Sequence, residues 1–528
     1  MRARVAVSSA ALLVGVALLA AAAFAAPSSS ERGRAVAVLR VDLEPDFDSV
    51  DPALALLPQT WQLEYATCLK LMNFPDKEAA QGGSRPTPEA AAALPKISPD
   101  GRTYTFAIRK GLRFNTGAAV TSANFAFAMN RVRSPSLASP GATFLTDVVR
   151  IATPAPYRLT IVLRRAAPDL LSRLTLPYFC ALPVDTPIDP AGIGAPVPSA
   201  GPYYIASWDR GRSAVVRRNP FYRGTRPHRV DEIDYTFGIN LQAQRLRVEA
   251  GESDLGQFPP TAAGELGAKY GVNKGRFFVK HQLTIWFLAL NRAGHLFKNN
   301  DSLARAVNFA IDRTALARQH GAYAGTRTDQ ILPIGLSAFR DWSLYPLRGP
   351  NLAKASALAA GHVRDRKVRI WTFNLSFGPA IAQVVAFDLK RLGLVPEITV
   401  LDPVVLRDKA GTRGAEYDIM VAGWAADFPD PFNFVNRLLS GTSIKDANNV
   451  NFSYFDERRW NARMAKAASL FGRARDRAYA TLDRDLMAQA APIAPYISSN
   501  ARVFVSARVG CFTYQSVYGT DLAALCLR

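Results

Sequence analysis

The chain has 528 residues, 49% of them hydrophobic and 20% charged, with a formal net charge of +21. That is enough chain for two or three domains with sizeable cores, and the balance is that of a globular protein. The basic residues are dispersed, with the densest run at 210–229, and neither a stacked-aromatic RNA motif nor a helix-turn-helix pattern accompanies them. The charge reads as solvated surface, and nucleic acid is not an expected partner.

Residues 1–26 read as a secretory signal peptide. Arg2 and Arg4 form a positive start, residues 10–23 are an apolar run rich in Ala, Leu and Val, and Ala23-Phe24-Ala25 is an A-x-A cleavage site. The run is too short for a strong membrane span. No Cys lies near the cleavage site to carry a lipid, and the mature chain is expected to be exported and soluble. Four cysteines follow: Cys68, Cys180, Cys511 and Cys526. An oxidising compartment allows up to two disulfides. Cys511 and Cys526 would close a short C-terminal loop and leave Cys68 for Cys180, but spacing alone does not decide the connectivity.

Residues 35–43, AVAVLRVDL, suit an early strand. Residues 103–109, TYTFAIR, alternate as a half-buried strand does. The next segment reads as turn, short strand, turn and a helix capped by Thr121 or Ser122, with Phe125, Met129 and Val132 on one face. Residues 158–163, RLTIVL, suit another strand. Near 283 the pattern changes. LTIWFLALN suits a strand buried on both faces, followed by a helix capped by Asp301 or Ser302 with Leu303, Val307, Ala310 and Ile311 on one side. Then come strand 368–373, a helix from about Pro379 to Leu392 stopped by Gly393, strand 397–402, a short helical piece and strand 417–423. That alternation predicts a parallel α/β unit with its helices packed on the sheet. A helical stretch over about 456–491 and a strand over 493–505 complete the chain.

The strand YDIMVAG opens into WAADFPDP, which carries an indole, Trp424, and a carboxylate, Asp427, three residues apart. In open α/β sheets ligands sit beyond the carboxyl ends of strands. The loop after 368–373 leaves the same edge, so Trp371, Phe373 and Asn374 are expected near Trp424 and Asp427. A plain surface loop with solvated acids is the competing reading of the same residues. Assembled chemistry is missing from the pattern: no G-x-S-x-G, H-E-x-x-H, phosphate-binding Gly-rich loop or G-x-G-x-x-G is present. The five His residues, His228, His281, His295, His320 and His362, stand singly, without metal-ligand spacing. Asp430 precedes Pro431, where a turn role is usual. The sequence is not expected to be an enzyme, and no cofactor or metal is implied.

Several segments, in order, resemble one family. They are PEAAAALPKISPDGRTYTFAIRKGLRFNTGAAVTSANFAFAMNRV, PSAGPYYIASWDRGRSAVVRRNPFYRG, LALNRAGHLFKNNDSLARAVNFAIDRTAL and GWAADFPDPFNF. The chain resembles the extracytoplasmic solute-binding proteins of ABC transporters, family 5, the peptide/opine/nickel group. The resemblance implies a two-lobe α/β periplasmic-binding-protein fold (type II, the large cluster with an extra subdomain) and a ligand cleft between lobes that close by hinge motion. It places lobe I at 27–282 with the extra subdomain at about 63–188, lobe II at 283–491, and a return to lobe I at 492–528. It implies a periplasmic receptor, expected to be monomeric, that passes a peptide-like solute to a membrane permease and its ATPase. A ligand sensor or chaperone-like protein of the same fold, or a binder of an amine, glycoside or metal chelate, is the alternative. In the peptide-binding members the acid at the position of Asp427 takes the ligand's α-ammonium, and an Arg for the ligand carboxylate stands at positions aligned here with Val421 and Phe377. Neither is basic in this chain, which speaks against a free dipeptide held at both ends. The expected ligand-binding set is Asp427, Trp424, Trp371, Phe373, Asn374 and Phe377.

Overall fold

The computed structural model describes residues 36–528 apart from Ser376. The signal-peptide segment, residues 1–26, lies outside the described residues. Eleven strands form one large mixed sheet: β1 (Val38–Asp42), β2 (Tyr203–Asp209), β3 (Ser213–Arg218), β4 (Glu232–Thr236), β5 (Leu255–Gly256), β6 (Phe277–Leu290), β7 (Gly325–Arg327), β8 (Lys367–Phe373), β9 (Val395–Leu401), β10 (Ile419–Ala425) and β11 (Ile493–Val505). Their order is β9-β8-β10-β6-β11-β5-β1-β4-β3-β2, with β7 pairing separately on β11.

The middle of this sheet explains the rest. β6 and β11 are the two longest strands, and they pair antiparallel from Phe277↔Phe504 to Ala289↔Ile493. Their far ends belong to different neighbours. β10 pairs with β6 only over Thr284–Leu290, and β5 pairs with β11 only at Phe504 and Val505. The register slips between His281 and Ile285, where β6 carries extra residues against β11. A bulge of this kind leaves ladder groups unpaired and bends the ribbon locally. The sheet is therefore two half-sheets joined through one irregular ribbon.

The β8–β10 half matches the expected parallel unit. β8 pairs parallel with both β9 and β10, and the helix Gly378–Lys390 buries Ile381, Val385 and Leu389 against them. The apolar run in β6 is buried from Phe287 to Leu290, as its lack of alternation demanded. On the other side, β1 runs parallel to β4 and β5, and β2 and β3 form an antiparallel hairpin.

A separate antiparallel sheet, Lys96–Ile97, Thr103–Ala107, Arg158–Leu163 and Val148–Ala155 in that spatial order, has its own core around Tyr104, Phe106, Leu159 and Ile161. The helix Ser122–Arg133 closes it with Phe125, Met129 and Val132 fully buried. The Thr121 N–H at its start donates to Asn124 Oδ1 at 2.8 Å. Arg131 of this helix forms a bidentate, fully buried pair with Asp51. The polypeptide enters and leaves the region beside one disulfide, Cys68 to Cys180, with Cα atoms 5.3 Å apart. Cys511 and Cys526 are joined likewise, at 5.1 Å.

Three expectations differ. The short strand between 111 and 120 is only an isolated bridge, Arg113 to Ala119. The helix Asp301–Ala310 is capped by Asn300, whose Oδ1 accepts from the Leu303 N–H at 3.2 Å, not by Asp301 or Ser302. Asn is a strong cap, and the apolar periodicity begins one turn later, which hides the boundary. The stretch over 456–491 is two helices, Arg458–Ser469 and Gly472–Gln489. Leu470 and Phe471 are extended and Gly472 has φ +53°, a conformation that glycine adopts without a steric cost.

Candidate functional site

The ends of parallel strands converge on the ribbon from both sides. In the β1 half, a cavity of about 460 Å³ opens beyond the carboxyl ends of β1 and β5. Leu43, Gln257 and Phe258 line it, with Gln282 and Arg502 from the ribbon and Tyr518 from the C-terminal segment. This is where a crevice forms in an open parallel sheet, because strand ends there lack a covering crossover.

In the other half, the end of β8 carries aromatics. Phe373 lies 5.2 Å from Phe377, and Trp286 of β6 lies 5.8 Å from Phe373 and 5.1 Å from Phe377. His320 joins them at 4.4 Å from Phe377 and 5.3 Å from Trp286. Its Nε2 sits 3.2 Å from the Tyr496 hydroxyl. Burial, helped by the charge of Arg502, pulls the His320 pKa down to about 4, so the ring is neutral near pH 7. Trp286 stands opposite Gly423 on β10, where an added Cβ would come within 2.7 Å of the indole. The glycine that ends the apolar run is therefore a seat for this ring.

The loop after β10 is organised by one amide. Asn433 Oδ1 accepts from Trp424 Nε1 at 3.0 Å and from the Asp427 backbone N–H at 3.2 Å, while Asn433 Nδ2 donates to Asp427 Oδ2 at 2.9 Å. The indole and the carboxylate are thus fixed relative to each other. Asp427 is half-buried, and desolvation raises its pKa against the opposing pull of Asn433, Arg437 and Arg407. A carboxylate in this state gains more than a solvated one from a cationic hydrogen-bonding partner. Asp430, three residues on, is already served: Arg475 binds both its oxygens, at 2.7 and 3.1 Å, and its Oδ1 accepts from the Phe432 N–H at 2.8 Å. Phe428, between them, enters the core of the small antiparallel sheet, 6.0 Å edge-on to Phe144. A cavity of about 680 Å³ lies between that region and the loop, reaching Phe432, Asn433 and Arg437. Its size suits a small-molecule site.

The sequence-predicted residues do not gather in one place. Trp424 and Asp427 share Asn433. Phe373 and Phe377 share the aromatic cluster. Trp371 departs from the expected convergence: it sits opposite Met420, four residues before Trp424, and packs on Tyr417 at 5.2 Å. Strand rise makes that separation about 13 Å. Asn374 is exposed, its backbone N–H bonded to Leu401 O. Val421 is fully buried opposite Leu288 and faces core. Asn433, Arg437, Trp286 and His320 were missed. Asn433 and Arg437 follow the loop by a few residues, and their polarity in an apolar stretch was the available signal. Among the described residues, Glu64, Cys68 and Cys180 are the one grouping with metal-ligand spacing. Its two sulfurs are bonded to each other, so no thiolates are left to bind a cation.

Known proteins bear out the family and the fold. The model of the bacterial extracellular solute-binding proteins, family 5 (middle region), matches residues 85–446. The probable D,D-dipeptide-binding periplasmic protein DdpA of Escherichia coli K12 is 22% identical over 397 residues, 74% of this chain and 75% of that protein. The oligopeptide-binding protein OppA of Bacillus subtilis is 24% identical over 389 residues, 66% of this chain and 68% of that one. Among solved structures, the clavulanic acid biosynthesis oligopeptide binding protein 2 superposes with a TM-score of 0.83 at 25% identity, covering 93% of this chain and 95% of that one. The DppA protein of Helicobacter pylori, solved with the peptide STSA, gives 0.73 at 21%, covering 93% and 98%. The fold is the two-lobe α/β fold of the periplasmic binding proteins, and the chain belongs to family 5 of the bacterial extracellular solute-binding proteins.

Proposed function

We propose that this chain is the exported solute receptor of an ABC importer, that it captures a peptide-like solute between its lobes, and that it makes no covalent bond to it. Delivery would be to a membrane permease with its ATPase, from a monomeric receptor in the periplasm. Among the described residues no helix is long and apolar enough to cross a membrane, which is compatible with that role. On this reading lobe I is 27–282, with its subdomain at about 63–188, lobe II is 283–491, and 492–528 returns to lobe I. The separate sheet and core of the 96–163 region support the subdomain, and the slipped register near His281 supports the first boundary.

One observation carries the ligand assignment: Asp427, half-buried and fixed by Asn433, has a neutral amide as its hydrogen-bond partner and no basic one among the described residues. A ligand ammonium would complete it. Trp424, Phe373 and Phe377 would contribute apolar and stacking surface. Peptide-binding relatives support the solute class. Calorimetric titration of the mature protein with an oligopeptide library tests the reading. The expected result is binding that requires a free N-terminal ammonium and is lost in Asp427→Asn. Equal binding of N-acetylated peptides would refute the role of Asp427, and hydrolysis of any bound peptide would refute the receptor assignment.

A further inference from the structure

The residues aligned with the family's carboxylate-binding Arg positions are Val421 in the core and Phe377 in an aromatic cluster. A different cation stands close to the ligand-facing acid. Arg437 follows Asn433 by one helical turn, its guanidinium lies 5.8 Å from the centre of the Trp424 ring, and its charge acts on Asp427. Its Nε is buried and has no hydrogen-bond partner. No ion pair within 4.0 Å joins it to Asp427 among the described residues. The acid is tied to Asn433, the base stands one helical turn on, and Asn433 and Arg437 both line a cavity of about 680 Å³. Arg165 and Lys445, both exposed, add positive charge to the same cavity, while Asp147 and Asp169 in its wall are taken by Arg173.

Two opposite charges that are half-desolvated and unpaired are costly, and a ligand that bridges them removes both costs at once. An ammonium alone would satisfy Asp427 and leave Arg437 as it is. A group with an ammonium and a carboxylate on one carbon meets both, and a guanidinium is the side chain best shaped to take the carboxylate. We propose that Arg437 is a specificity-determining residue that binds a ligand carboxylate next to the ammonium held by Asp427, so that the preferred ligand presents an α-amino-acid head rather than an ordinary peptide N-terminus. The inference rests on the peptide-like reading of the site and adds the chemistry of the ligand's first residue.

Isomeric probes test it. γ-Glu-Ala-Ala carries ammonium and carboxylate on one carbon, whereas α-Glu-Ala-Ala has the same composition and charge but an amide at that carbon; Ala-Ala-Ala is the reference. Calorimetry on the mature chain is expected to give the γ-linked isomer at least about tenfold tighter binding than the α-linked one, a preference that Arg437→Gln abolishes and Arg437→Lys partly keeps. Unchanged melting temperatures of both variants would exclude a folding defect, and the Lys variant keeps the charge should the Gln variant misfold. Equal binding of the two isomers, or an Arg437→Gln variant that weakens both alike, overturns the inference and leaves the peptide reading in place. Failure of all three probes to bind overturns the peptide reading and the inference with it.

Discussion

Two neighbouring strand ends in the β8–β10 half-sheet have opposite characters. At the end of β8, Phe373, Phe377, Trp286 and His320 satisfy one another with rings, and the one titratable member is held neutral. At the end of β10, Asn433 holds an indole and an acid in place and leaves the acid without a cation. The first end is satisfied within the chain; at the second the acid's side-chain hydrogen-bond partner is a neutral amide. On the proposed reading, unpaired polarity, more than aromatic content, marks the binding end of the sheet. The contrast recurs within the β10 loop, where Asp430 is fully paired and Asp427, three residues away, is not.

That contrast can be broken by substitution. Asp430→Ala strands the buried Arg475 guanidinium and is expected to cost about 3–5 kcal/mol of stability by urea unfolding. Asp427→Asn should leave the melting temperature unchanged or higher, because it removes a poorly compensated buried charge. The same variant is expected to weaken a cationic ligand by about 1.5–3 kcal/mol in calorimetry. Since burial raises the Asp427 pKa, wild-type affinity should fall off with acid at a pH above the ordinary aspartate value of 3.8. Gly423→Ala pushes a methyl against Trp286 and should cost about 1–3 kcal/mol, with a loss of near-UV circular dichroism from that indole. The smallest effect concerns His320. The folded protein keeps it neutral down to about pH 4, whereas the unfolded chain takes a proton below about 6.5. The stability present above pH 6.5 is therefore lost progressively as pH falls toward 4, by about 1–2 kcal/mol once the ring's partial exposure discounts the roughly 3 kcal/mol of the full shift, and His320→Phe should flatten the melting temperature across that window.

Much of the frame was legible in the sequence because periodicity is local. The β8–β9–β10 unit and its helices follow from apolar spacing alone, and Thr121 marks a helix start by residue type. The β10 loop was visible as a motif of an indole and an acid. Its working parts were less so. Asn433 has meaning only once the loop turns back and brings it to Trp424, and Trp286 and His320 meet Phe377 from segments 91 and 57 positions earlier, across the sheet. Trp371 was misplaced for a related reason. Sharing a sheet edge with Trp424 says nothing about register, and the register sets it opposite Met420. The division of the 456–491 helix turns on Gly472, whose positive φ is a tertiary choice.

The bond between Cys68 and Cys180, 112 positions apart, encloses the small antiparallel sheet in a covalent ring. In a chain-entropy description a ring of that size removes about 4–5 kcal/mol of freedom from the unfolded state. It also makes the region indifferent to backbone nicks: a protease that cuts any loop between the two cysteines leaves a single molecule on a non-reducing gel and two fragments after thiol treatment. The ring has an order of assembly as well. If the chain is exported as proposed, the ring cannot close until residue 180 has crossed into an oxidising space, so the part of the protein that reaches Phe428 would be sealed only late in export.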